Sequence, residues 1–153
     1  MSIFNRGKQQ PNNKEQVARD VEQILKNAGF DPVAHRMQNI DGLGWRFNWG
    51  SAQIEVYINT KNDRDYFQVL SPMMYLPQTG LLAFYRRLLE LNMLIPNLRF
   101  GVFGETVYLF NERPVEGLDL NEAYDIIGAI SENADGWDNR LIEEFGGRLY
   151  RQV

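Results

Sequence analysis

Few residues in this chain have the type and spacing for covalent chemistry. It holds one histidine, His35, and no cysteine. Disulfides, thiolate nucleophiles and cysteine-based zinc or iron–sulfur centres are therefore excluded. A lone imidazole cannot form a His–His metal pair, and no Ser or Asp stands at a spacing diagnostic of a triad with His35. Carboxylates are plentiful, but the neighbours Glu143 and Glu144 point about 100° apart around a helix and do not converge. Asp135-Gly-Trp-Asp138-Asn139 lacks the alternating acidic ligands and terminal bidentate Glu of a calcium loop. The glycine pairs Gly42/Gly44 and Gly101/Gly104 do not lead into a helix through a phosphate-binding pattern. The expectation is a protein without catalytic residues, metal or cofactor.

Composition narrows the remaining classes. A length of 153 residues with 44% hydrophobic and 24% charged types fits one soluble domain with its own core. A net charge of −4 argues against a general nucleic-acid binder. Arg99-Phe-Gly-Val-Phe103 faintly echoes the aromatic strand of an RNA-recognition module, yet no lysines lie nearby to hold phosphates. The start, Met1 to Arg6, has no apolar signal region. The uncharged run from Tyr66 to Tyr85 is broken by Pro72, Pro77 and Gly80, which opposes a membrane helix. A cytoplasmic location follows as the expectation. Charge is unevenly placed: residues 1–14 are basic and residues 112–145 strongly acidic. That asymmetry reads either as a solvated helix face beside a basic tail or as an electrostatic docking surface.

The elements follow from periodicity. Residues 1–12 read as a flexible leader and 13–153 as a single domain. Asn13 caps a helix, with Gln16 reaching back, and Val17, Val21, Ile24, Leu25 and Ala28 form its apolar stripe before Gly29 ends it. A Gly50-Ser51 turn then joins two strands and pairs Trp49 with Ala52, Phe47 with Ile54 and Trp45 with Val56. This register puts every apolar residue on one face. Tyr66–Leu70 reads as a third strand and Ser71–Gln78 as an apolar, proline-bounded loop. Thr79 caps a second helix with Leu82, Tyr85, Leu88, Leu89 and Asn92 in helical spacing, stopped by Pro96. A second hairpin turns at Gly104-Glu105 and pairs Val102 with Val107 and Phe100 with Leu109. Asp119 and Glu122 form a capping box for a long last helix, with Gly136 as a candidate kink and Gly146-Gly147 as its end. Its stripe reads Leu120, Tyr124, Ile127, Ile130, Ala134, Trp137, Leu141 and Phe145. The predicted fold is α+β: an α-β-β-β-α-β-β-α sandwich whose antiparallel sheet packs against helices.

Two places carry more apolar surface than a solvated monomer requires. One is Met73-Met74-Tyr75-Leu76, since adaptable binding surfaces overuse methionine. The other is the reverse face of the second hairpin, where Phe103, Tyr108 and Phe110 stand on the side expected to be wet. These seven residues are the candidate partner-binding site. The leading reading is a non-enzymatic, homodimeric, protein-binding module with a polypeptide client and no nucleic-acid or membrane partner. A charge at Tyr108 or Phe110 is then expected to weaken the dimer while the fold survives. The alternative is a small-ligand-binding domain or enzyme with a pocket near His35 and Arg36, because a lone histidine can serve as a base.

The core pattern resembles the YbjN and type III secretion chaperone-like (Tir chaperone-like) family. The residues that carry the likeness are Leu91-Asn92 closing the second helix, Phe100 opening the fourth strand and Val107-Tyr-Leu-Phe110 as the fifth. Arg113-Pro114, Ala134-Asp135 and the ending Leu141-Ile-Glu-Glu-Phe-Gly-Gly147 continue it. The resemblance implies a compact α/β sandwich with an antiparallel sheet, in a small, acidic, cytoplasmic protein, often dimeric, that binds other polypeptides. It offers no catalytic residues. Asn92 matches the family's recurrent asparagine, and its amide is expected to satisfy backbone groups where helix meets strand.

Overall fold

The computed structural model describes residues 13–151, so the leader expected at 1–12 lies outside the described residues. Helix α1 (Lys14–Asn27) begins where Asn13 accepts a hydrogen bond from the backbone N–H of Gln16 at 2.9 Å. The Gln16 side chain does not reach back; it donates to Asp20 one turn on. Val17, Val21, Ile24 and Leu25 face inward, as their spacing predicts.

Three strands follow: β1 (Leu43–Trp49), β2 (Ala52–Lys61) and β3 (Arg64–Tyr75). The first hairpin has the predicted register, with Trp45 opposite Val56, Phe47 opposite Ile54 and Trp49 opposite Ala52. The connector before β1 covers that edge: Arg36 bridges Trp45, Met37 N–H donates to Gly44 and Arg46 N–H donates to the His35 carbonyl. Helix α2 (Leu81–Leu94) leads to β4 (Arg99–Phe103) and β5 (Thr106–Pro114), again in the predicted register. Helix α3 (Leu120–Phe145) closes the order, followed by a two-residue strand, β6 (Arg148–Leu149), that periodicity does not reveal. All pairings are antiparallel, in the order β1-β2-β3-β5-β4, with β6 beside β3.

The core lies between one face of this sheet and the helices. Trp45, Ile54, Val56, Phe67, Val69, Val107 and Leu109 are sealed against Ile127, Ile130, Ala134 and Leu141 of α3 and the apolar stripe of α1. Asp119 caps α3 through the N–H of Glu122 at 2.8 Å, and the helix runs unbroken through Gly136 to Gly146. Its N-terminal half is rotated from the predicted stripe. Ala123, Ile126 and Ile127 are buried, whereas Leu120 and Tyr124 are exposed.

Two further expectations are corrected. The Ser71–Gln78 segment is not a loop: β3 continues to Tyr75 through a bulge between Pro72 and Met74. Proline has no N–H for the ladder, and a bulge is where a strand tolerates that loss. Gly80 in the left-handed region, rather than Thr79, precedes α2, with no side-chain cap.

Candidate functional site

Strand alternation gives the sheet two unlike faces, and among the described residues helices cover only one, leaving the other open. Because Glu55 pairs with Leu70, Leu70 with Phe110 and Phe110 with Arg99, these side chains cross the open face in one row. Tyr57, Gln68, Tyr108, Gly101 and Phe103 complete a shallow groove of about 520 Å³. Phe103, at the hairpin tip, is 82% exposed.

The polar end of the groove is a built cluster. Glu55 is buried, and its carboxylate accepts from Arg46 Nε at 3.1 Å, Gln53 Nε2 at 2.7 Å and the Tyr57 hydroxyl at 2.7 Å. Charge-assisted bonds of this kind offset the desolvation of the carboxylate. Burial, reinforced by the bond to Glu55, pushes the Tyr57 phenol well above its ordinary range, so it stays a neutral donor. At the other end Arg99 lies over the Phe110 ring, 4.6 Å from its centroid. Gly101 makes that placement possible, since a Cβ there would sit 2.9 Å from the ring edge of Phe110. Asn92 fixes β4 to α2 by both amide groups: it accepts from Phe100 N–H at 2.6 Å and donates to the Phe100 carbonyl at 3.2 Å. That is the structural role its position implies.

The predicted site residues divide. Phe103, Tyr108 and Phe110 come together on the open face, and Tyr75 joins them because the bulge keeps it on Tyr108's side of the sheet. Met73 and Met74 are buried in the core, so they present no free surface to a partner. One extra residue at the bulge turns both thioethers inward. Leu76 is half-buried against the same core. His35 is engaged locally: its Nδ1 lies 2.8 Å from the Asp31 carbonyl and its ring meets Phe30 edge-on.

Sequence reasoning missed two features. Glu55, Tyr57 and Leu70 enter the groove only through cross-strand register, which links distant segments. Helix α2 buries Phe84, Leu88 and Leu91, leaving Leu82 86% and Met93 87% exposed, with Leu89 and Leu94 also in solvent. The signal was present as two apolar stripes on one helix, a pattern that requires two partners. A larger cleft of about 1210 Å³ lies where β5 meets α3, and both of its guanidinium groups are engaged by its own carboxylates, Arg113 by Glu122 and Arg64 by Glu116.

The family model described as T3SS (YopN, CesT) and YbjN peptide-binding chaperone 1 matches residues 46–153. The chain belongs to this family. A comparison with curated proteins finds no match in sequence. Among solved structures, a chain of the ExsC–ExsE complex superimposes with a TM-score of 0.63 at 14% identity, covering 85% of this chain and 96% of that one. A chain of the HopA1–SchA chaperone–effector complex gives 0.58 at 10% identity, covering 84% and 99%. These likenesses show the fold, an antiparallel sheet with helices on one side, as the sequence resemblance implies. As a peptide-binding chaperone family member, the chain has a protein-binding role. Among the described residues, no helix is long and apolar enough to cross a membrane.

Proposed function

We propose that this chain is a non-enzymatic, homodimeric, cytoplasmic chaperone that holds an extended polypeptide client across the open face of its sheet. One observation carries the reading: among the described residues, no helix covers an aromatic groove on a face that an isolated soluble domain would make polar. Extended backbone suits such a face, because its alternate side chains reach the floor while the others stay in water. Phe103, Tyr108 and Phe110 supply apolar contact, and the Glu55–Arg46–Tyr57 cluster and Arg99 supply polar ends that set the register of the client. The family description and the chaperone–effector neighbours support a polypeptide client.

The self-contact falls on α2 rather than on the Tyr108–Phe110 face. Leu82, Leu89 and Met93 recur along one flank of the helix. Two copies of such a stripe can meet about a twofold axis, where the same patch serves both subunits. Charged substitution at Tyr108 is then expected to spare the dimer and abolish client binding.

The test is an array of overlapping peptides from unfolded proteins, probed with the native chain and with Phe103→Asp/Tyr108→Asp. The native chain is expected to retain a subset of peptides that the double variant loses, while both give the same circular dichroism. Equal retention by the two proteins would remove the open face as the binding site.

A further inference from the structure

The chain's own C-terminal segment lies against the proposed client face. β2 pairs with β3 only as far as Glu55 and Leu70, and β5 occupies the opposite side of β3 down to Tyr75. A strand-sized slot is therefore left beside Met74 and Tyr75 on the β2 side. β6 fills it, with Leu149 opposite Met74 and Arg148 opposite Tyr75, and Tyr150 N–H donates to the Met73 carbonyl at 2.9 Å. Alternation turns Leu149 toward the core side. Arg148 and Tyr150 lie on the open face, the guanidinium 4.4 Å from the Tyr75 centroid and the Tyr150 ring 5.6 Å from the same ring. Burial pushes the Tyr150 phenol up, and Tyr108, Glu55 and Tyr75 add to that shift.

The attachment is slight. β6 is two residues long, Leu149 and Tyr150 are only half-buried, and Arg148 is exposed. Gly146 and Gly147, both at positive φ, join it to α3. Segments with so few backbone bonds open locally without unfolding the domain.

We propose that residues 148–151 form a displaceable strap, and that an extended client takes its strand slot on β3 when the open face is occupied. The inference rests on reading that face as peptide-binding, and it adds both a regulatory device and a client pattern. The segment Arg-Leu-Tyr shows what the slot accepts: an apolar residue toward Met74, flanked by an aromatic or guanidinium group on Tyr75.

The test uses the full chain and a fluorescein-labelled peptide with the sequence of residues 146–153. Tyr150→Pro removes both the N–H that binds Met73 and the ring that covers Tyr75, so the strap can no longer compete. The peptide is expected to bind this variant about tenfold or more tightly than the native chain, since a competing closed state lowers apparent affinity by its population. A peptide with Asp in place of the leucine is expected not to bind. In the native chain the Tyr150 amide is expected to exchange hydrogen by a local opening that urea does not promote. Equal peptide affinity for both proteins, no binding to the variant, or Tyr150 exchange only through global unfolding overturns the strap. Failure of Tyr150→Pro to fold overturns it too, because the segment is then part of the fold. If the strap fails while Phe103→Asp/Tyr108→Asp still abolishes peptide capture on the array, the groove reading stands without it.

Discussion

Single side chains carry consequences that can be measured one at a time. Asn92 holds both backbone groups of Phe100. Asn92→Ala leaves them unpaired and is expected to cost about 2 kcal/mol in urea unfolding. Its role was legible because an amide at a helix–strand junction has few other uses. The fates of Met73 and Met74 were not legible, since a bulge inside a proline-bounded run turns both inward and nothing in local composition announces it. Two carboxylates of α3 that meet Ser51 in the β1–β2 turn make an opposed pair. Asp135 accepts from the N–H and hydroxyl of Ser51, which holds its carboxyl below the ordinary 3.8. Burial pushes the carboxyl of Asp138 above that value, although Ser51 and the Asn139 N–H bond to it. The signs differ. A depressed carboxylate contributes stability that is present above its unfolded value and lost as pH falls through the folded one. A raised carboxyl contributes stability that is full below its unfolded value and lost as pH rises through the folded one. Asp135→Asn is therefore expected to destabilise at neutral pH, with the difference from the native chain shrinking below about pH 4. Asp138→Asn should gain on the native chain as pH rises from acid toward neutral. Thermal melts across that range check both.

At the scale of elements, both hairpins could be registered from sequence because two-residue turns and alternation leave a single pairing that puts the apolar residues together. Helix faces were harder. The stripe Leu82, Tyr85, Leu88 and Leu89 mixes buried and exposed positions, since Phe84, Leu88 and Leu91 form the face that meets the sheet and β4. An apolar residue looks the same to periodicity whether its partner is the same chain or another one. Leu82→Glu/Leu89→Glu is expected to halve the sedimenting mass at equal concentration with little loss of stability, because both residues stand in solvent in one subunit. Unchanged mass would remove α2 as the self-contact. The cap of α3 was plain in the sequence and is present. Asp119→Ala is expected to lower stability by about 1 kcal/mol, read from the urea midpoint.

For the whole molecule, fold was more legible than site. The sequence resemblance and the family match agree, and hydrophobic patterning shows why: one sheet face and the buried stripes of three helices define the core. The open face emerges only when β2, β3, β5 and β4 lie side by side. Glu55 and Phe110 are far apart in the chain and adjacent in the sheet through Leu70. All seven candidate residues were named from the sequence; Tyr75, Phe103, Tyr108 and Phe110 stand on the open face, whereas Met73 and Met74 are buried in the core. That this face seats a client is the central claim. Its most direct test is amide NMR of the native chain titrated with a peptide selected on the array. Shifts concentrated at Leu70, Gly101, Phe103, Tyr108 and Phe110 are the predicted result. Shifts confined to α3 or to the charged cleft at Arg113, with the open face silent, would contradict it.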